Sequence, residues 1–171
     1  MDFTRVISGR ESIRSYDPTK PVDKAVLERI LEAGRIAPSA ANRQPWRFLL
    51  VSSREMLGQV RRCYQKPWFQ DAPHVLIVAG RTGEAWARQD GWNSIETDLT
   101  IAMDHMVLAA ENEGVATCWV ANFDPGVLRT ALSFSSEDRV YAITPLGYPR
   151  PGFAKKGQRQ RKALTEVVKF L

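Results

Sequence analysis

Between Val22 and Gly34, apolar residues recur at Val26, Leu27, Ile30 and Leu31, with Gly34 on the same face. That is the 3.6-residue spacing of an amphipathic helix; Asp23 stands at its start as an N-cap and Pro38 follows its end. The run Trp46–Ser52 (WRFLLVS) is nearly all apolar and predicts a short buried strand. Ser52 and Glu55 then have capping-box spacing for a second helix, with Met56, Leu57, Val60 and Tyr64 inward and Pro67 as terminator. His74–Gly80 (HVLIVAG) predicts another buried strand, whereas residues 81–92 (RTGEAWARQDGW) carry no period and predict an exposed, mobile connection.

The longest helical pattern covers Ser94 to Glu113. Ile95, Leu99, Ala102, Met103, Met106 and Ala110 keep the helical period, but Val107, Leu108 and Ala109 widen the apolar surface beyond one face. Such a helix is buried in its own core or against another chain. Gly114 fits its C-terminal end, Val115–Ala121 predicts a third strand, and Asp124-Pro125 opens a helix running to about Leu132. Arg139–Leu146 is the last clear strand. Beyond it Tyr148-Pro149-Arg150-Pro151 leaves the sheet extended, and Val167, Val168 and Phe170 form a short apolar tip. By itself, this alternation of helices and strands leaves a parallel doubly wound sheet open.

At 171 residues and 44% hydrophobic content the chain makes one domain with a proper core. It contains no run of eighteen apolar residues, and its first residues lack the apolar stretch of a signal peptide, so the expectation is a cytoplasmic protein without a membrane partner. Cys63 and Cys118 show no metal or redox spacing and read as buried thiols of a reducing compartment. His74 and His105 read as structural, since no nucleophile or acid is spaced to them. The net charge of +5 is scattered except at Lys155, Lys156, Arg159, Arg161 and Lys162. That cluster is a polyanion patch, a solvated linker, or a pair of cations closing on a small phosphate. No aromatic residues interleave with it as a base-stacking surface requires, which argues against specific nucleic-acid binding. Trp46, Trp119 and Phe123 suit a core. Trp68, Trp86 and Trp92 lie in less regular sequence, where they either wall a substrate pocket or pack at a dimer seam.

Two stretches carry candidate chemistry. Arg10, Ser12 and Arg14 alternate, so an extended backbone turns all three to one side, and a guanidinium beside a hydroxyl suits a phosphate. Glu11, between them, is expected to face outward. Ala37–Trp46 (APSAANRQPW) combines small residues, two prolines and two side-chain amides at a helix-to-strand corner, which allows close approach of a flat ligand.

These two stretches, with GVATCWVANFD at 114–124, ITPLGYP at 143–149 and the basic RQRKALTEVV at 159–168, resemble the FMN-dependent nitroreductase family in order and separation along nearly the whole chain. The resemblance implies an α+β sandwich with a mixed or mostly antiparallel sheet. It also implies one domain over 1–171 and an intertwined homodimer, whose tail at 149–171 crosses to the partner. FMN is the implied cofactor. On that match the 10–14 segment (Arg10, Glu11, Ser12, Ile13, Arg14) holds the FMN phosphate and ribityl chain, with Arg14 near flavin N1 and the C2 oxygen. Pro38, Ser39, Ala40 and Asn42 pack on the isoalloxazine from the partner subunit, and Gln65 reaches the pyrimidine edge. Val120, Ala121 and Asn122 present a backbone N–H to flavin N5. Arg161 and Lys162 complete the phosphate site; the chain departs from the family with Ala163 where a proline commonly follows and Asn122 where a small residue is usual.

The implied activity is ping-pong transfer of a hydride from NADH or NADPH, through flavin N5, to nitroaromatics, quinones or similar electrophiles. No side chain acts as an obligatory acid or base. A different flavin reaction on the same fold (dehydrogenase, dehalogenase or flavin-processing), or a non-catalytic FMN-binding module, stays open at this point.

Overall fold

The sheet is antiparallel throughout, which decides the architecture that the helix–strand alternation left open. The computed structural model describes residues 2–157 and 159–171. Four strands, β1 (Trp46–Val51), β2 (His74–Arg81), β3 (Ala116–Thr117) and β4 (Asp138–Gly147), lie in the order β1-β2-β4-β3. In register, His74 faces Leu146, Trp46 faces Gly80, and Thr117 faces Leu146 from the other side.

β2 is central and buried along all but its last residue because helices cover both faces of the sheet. Leu76 and Val78 point to one side, where α2 (Lys24–Arg35) and α5 (Ile95–Asn112) supply Leu27, Ile30, Leu99, Met103 and Met106. Val75 and Ile77 point to the other, against Leu57 and Val60 of α3 (Arg54–Val60) and Leu128 of α6 (Pro125–Ala131). α2 can lie close on α5 because Gly34 has no side chain: a Cβ there would sit 2.7 Å from the Met106 sulfur. A two-pronged Arg29–Glu113 ion pair (2.9 and 2.7 Å) ties the two helices at one end. On α5, Ile101, Leu108 and Ala109 remain half-buried, an apolar strip that the described residues cover only in part.

Several local expectations are corrected. β1 is an edge strand, paired on one side only, and is half-buried except at Val51. Ser53 rather than Ser52 caps α3, accepting from Met56 N (3.3 Å). Pro67 does not end that helix; it begins a short one, α4 (Pro67–Gln70), because proline suits a first helical turn. The third strand shrinks to two residues plus a single bridge between Val120 and Ile143. α1 (Phe3–Gly9) was not foreseen; Asp2 caps it, accepting from Arg5 N (3.3 Å).

The 81–92 connection is an ordered hairpin rather than a loose loop. Arg88 N donates to Trp92 O (2.8 Å), Gly91 turns at φ +89°, and Trp86 meets Trp92 edge-on at 6.2 Å. A short helix, α7 (Leu164–Val167), follows an exposed stretch, and Phe170 is 91% exposed.

Candidate functional site

The phosphate-type segment is built by what lies on either side of it. α1 ends at Gly9, Arg10 turns the backbone extended, and Ile13 N donates to Thr117 O (2.9 Å), so residues 10–14 run beside β3. Arg10, Ser12 and Arg14 share the outer side, while Ile13 faces a buried group with Tyr16, Ala72 and Ala116. Glu11 is on the inner side too, 8% exposed, with its carboxylate accepting from Lys156 N (2.9 Å). This corrects the expected outward orientation: the reverse side of the segment is covered by the tail, not by water. The side chain of Ile13 therefore points away from the side shared by Arg10, Ser12 and Arg14, while the Glu11 carboxylate reaches the tail.

The tail is held there by its own contacts. Lys155 Nζ donates to Gly9 O (3.0 Å) and pairs with Glu111 of α5, and Arg159 donates to Ser8 O (3.1 Å). A cavity of about 430 Å³ opens between the tail and the end of α1, lined by Ser8, Gly9, Glu11, Lys155, Arg159 and Arg161. Arg159 is held below the usual arginine value first by burial, then by the like charges of Arg10 and Arg161, with the carboxylates of Glu11 and Glu111 acting the other way. Arg159 and Arg161 share the cavity, and two guanidinium groups so placed suit a dianion whose oxygens accept charge-assisted bonds from each. An FMN phosphate would fit these donors on the side of the cavity away from the Glu11 carboxylate, which would repel it. Arg159 is the tail residue that the sequence reading did not single out, having chosen Arg161 and Lys162 from the same basic run. Lys162 is exposed.

Next along the segment, Arg14 lies over the Trp68 ring, 5.8 Å from its centroid. Trp68 is wedged against Tyr16 (6.4 Å, stacked) and edge-on to Tyr64 (5.5 Å), so the guanidinium rests on a fixed platform. Gln65 is exposed in the same turn. Beneath them the buried Cys118 thiol is pushed up by burial, with Arg14 and Ser12 acting the other way. Residues 120–122 lie near mid-sheet. Val120 is buried and both its backbone groups are used, donating to Ile143 O (2.9 Å) and accepting from Ile143 N (3.1 Å). An outward N–H from this turn therefore belongs to the exposed Ala121 or Asn122, not to Val120.

The ring-type loop stands elsewhere. Ala41, Asn42 and Gln44 have left-handed backbones (φ +49°, +54° and +50°). Ser39 Oγ accepts from Gln44 N (2.9 Å), Asn42 Oδ1 accepts from Gln44 Nε2 (3.1 Å), and Ala40 N donates to Asp98 Oδ1 (2.8 Å). Pro38 is exposed and Pro45 is buried at the entry to β1.

Two independent rulers measure the gap between these groups. Asp98, which holds the loop, and Glu111, which holds the tail, are thirteen residues apart on α5, about 20 Å of helix. On β2, Gly80 faces the strand entered from the loop and His74 faces the Leu146 level beside residues 10–14, again about 20 Å. One chain thus gathers Arg10, Ser12, Arg14, Arg159 and Arg161, with 120–122 further along the sheet, and carries Pro38–Gln44 at the opposite end.

The remaining candidates are structural. His74 Nε2 accepts from Val22 N (3.0 Å) and Nδ1 lies 2.7 Å from Ser52 Oγ, and burial holds its pKa below the usual value. Burial pushes Cys63 up to about 12. Among the described residues, no group of three His, Cys, Asp or Glu gathers as a metal would need, and no helix is long and apolar enough to cross a membrane.

Known proteins resemble this chain in sequence and fold. A putative NADH dehydrogenase/NAD(P)H nitroreductase of Methanothermobacter thermautotrophicus is 30% identical over 158 residues, covering 87% of this chain and 78% of that protein. A nitroreductase family protein of Clostridium difficile superposes with a TM-score of 0.89 at 30% identity, over 99% of this chain and 98% of that one. A nitroreductase of Bacteroides fragilis solved with FMN bound superposes at 0.76 with 26% identity, over 100% and 99% of the two chains. The nitroreductase family model matches residues 7–62 and 55–148, which takes in the 10–14 arm, the 38–44 loop and all four strands, so the chain belongs to the nitroreductase family.

Proposed function

We propose that the protein is an FMN-dependent NAD(P)H oxidoreductase, active as a homodimer, that reduces nitroaromatics, quinones or similar flat electrophiles. The observation that carries this reading is the split site. Read as a phosphate-binding group and a ring-packing loop, residues 10–14 with the tail and residues 38–44 lie about 20 Å apart in one chain, which supports a site completed by a second chain. The partly covered strip on α5 and the half-buried edge strand β1 offer surface for that meeting.

Bound FMN would supply two-electron transfer; the protein's tasks are to bind, orient and bias it. Arg10 and Arg159, with Arg161, would hold the phosphate, and Ser12 the adjoining ribityl chain. Arg14, propped on Trp68, would stand at the pyrimidine edge and favour negative charge developing there. Ala121 or Asn122 would present a backbone N–H near the ring centre. The loop 38–44, from the other chain, would pack small side chains on the ring and leave a slot for a flat donor and then a flat acceptor. No acid or base is asked of the protein, in keeping with the purely structural contacts of His74.

Fluorescence titration with FMN, followed by steady-state NAD(P)H oxidation in the presence of menadione or a nitroaromatic, tests the proposal. Uptake of about one FMN per chain with turnover supports it. Flavin uptake without turnover favours a binding module instead, and no uptake refutes the reading.

A further inference from the structure

Asp98 is 1% exposed, and no Lys or Arg pairs with it among the described residues. Its charge is answered by three things. One oxygen accepts from Ala40 N (2.8 Å), the other from Ser94 Oγ (2.7 Å), and the carboxylate lies in the first turn of α5, where the helix end favours an anion. Ser94 is itself the root of the hairpin at 86–94, since its N–H donates to Trp86 O (2.9 Å). Leaving a carboxylate this deep without its donors is costly, so its presence demands a purpose that an apolar residue could not serve.

That purpose is visible in the loop it grips. Three of its L-residues, Ala41, Asn42 and Gln44, hold left-handed conformations, which persist only where surroundings over-determine them. Among the described residues the loop's other bonds, Gln44 N to Ser39 Oγ, Gln44 Nε2 to Asn42, Asn42 N to Ser39 O and Arg43 N to Ala40 O, are internal and do not join it to the rest of the molecule. The Ala40 N–H is the tether between the loop and the helical layer.

We infer that Asp98 is a positioning residue of the ring-side half-site: it latches loop 38–44 and the root of the 86–94 hairpin to one point at the start of α5, so that the loop presents a fixed surface to the flat ligand. The inference rests on the reading of 38–44 as the ring-side half. Asp98 touches no ligand; it acts through Ala40 and Ser94.

Two readouts test it, the first needing no flavin. In the apo-protein, Asp98→Ala should lower hydrogen-exchange protection of the Ala40 amide by about tenfold or more, while Met103 and Met106 in mid-α5 keep theirs. In titrations, Asp98→Ala should weaken FMN and riboflavin by the same factor, roughly tenfold to a hundredfold. Arg10→Ala should weaken FMN alone. Asp98→Asn, which keeps an oxygen for Ala40, should restore Ala40 protection and riboflavin binding to within about threefold. Should Asp98→Ala fail to fold, Ser94→Ala frees the carboxylate on one side only and should weaken both flavins equally by a smaller factor. Unchanged Ala40 protection, or lost protection with unchanged riboflavin affinity, overturns the inference while the flavin reading stands. Wild-type protein that takes up neither flavin overturns the flavin reading, and this inference with it.

Discussion

In the proposed function the arm at 10–14 and the loop at 38–44 serve the same kind of end, a rigid surface for part of a ligand, from opposite starting points. In the arm the backbone is plain extended chain and the chemistry is in long charged side chains, gathered by alternation and by a tail folded over the reverse side. In the loop the side chains are small and the backbone is unusual, with three left-handed residues and a buried carboxylate as its outside anchor. Charge can be recognised by side chains that keep some freedom, because Coulomb attraction is long-ranged and forgiving. A flat ring is recognised by shape, which tolerates no slack, so that half is fixed through its backbone.

The sharpest way to break the comparison is to remove residues 155–171. The arm should lose Arg159 and Arg161 together, and Glu11 its Lys156 partner, so FMN affinity should fall by roughly a hundredfold or more while riboflavin is far less affected. Light scattering should show the dimer loosened as well, because the same tail carries exposed Leu164, Val167 and Phe170. A full-length monomer that binds FMN well would contradict the division of the site between chains.

Single substitutions in the arm come next. Arg10→Ala and Arg159→Ala should each weaken FMN by about tenfold to a hundredfold, the worth of a charge-assisted contact, with riboflavin little changed. Equal losses for both ligands would assign these residues to structure.

Arg14 should behave differently from its neighbours. Arg14→Met should lower the flavin midpoint potential by about 30 mV, equivalent to 1.4 kcal/mol in a two-electron couple, with a smaller effect on FMN binding. Trp68→Leu should reproduce a fraction of that shift by releasing the guanidinium from its platform. An unchanged potential in Arg14→Met would leave Arg14 as a second phosphate ligand or a surface charge.

The smallest effect separates the two ends of the sheet by acidity. His74, at the arm's end, has its pKa depressed by burial. Its contribution to stability is therefore full above about pH 6.5 and declines as pH falls below that value toward the folded one. Asp138, at the loop's end, is held at about 2 by Ser135 and Arg81, so its contribution is full above about pH 4 and is lost only as pH falls through about 2. Exchange protection of the Val22 amide, which donates to His74, should drop between pH 6.5 and 4, while that of Ser135, which donates to Asp138, persists. Loss of both together would mean that the ends are not independent.

What could be read from the residues alone follows the same division. α2, β2 and α5 were legible because each buries a face whose period is written in its own residues. α1 was not, because seven residues with one buried side chain, Val6, are held by a cap and by tertiary contact. Ser52 reads as a cap yet serves His74, twenty-two residues away, and Ser53 takes the capping role. Alternation in the arm was legible, whereas the cover over Glu11 was not, since nothing local shows what lies behind a segment. In the tail, the basic run marked a candidate region but could not say that Arg159 is the cation that reaches back to Ser8 O.

The clasp between residues 8–11 and 155–159 also sets an order of events in the making of the protein. Its bonds join positions 145 to 151 residues apart, nearly the span of the chain, so they close the largest loop and come after the local contacts of the sheet and helices. On the ribosome the central sheet can form while the arm still lacks its backing, and the arm is completed only after Arg159 has emerged. A chain interrupted between the last strand and Arg159 would therefore hold its sheet and lack the backing of its arm.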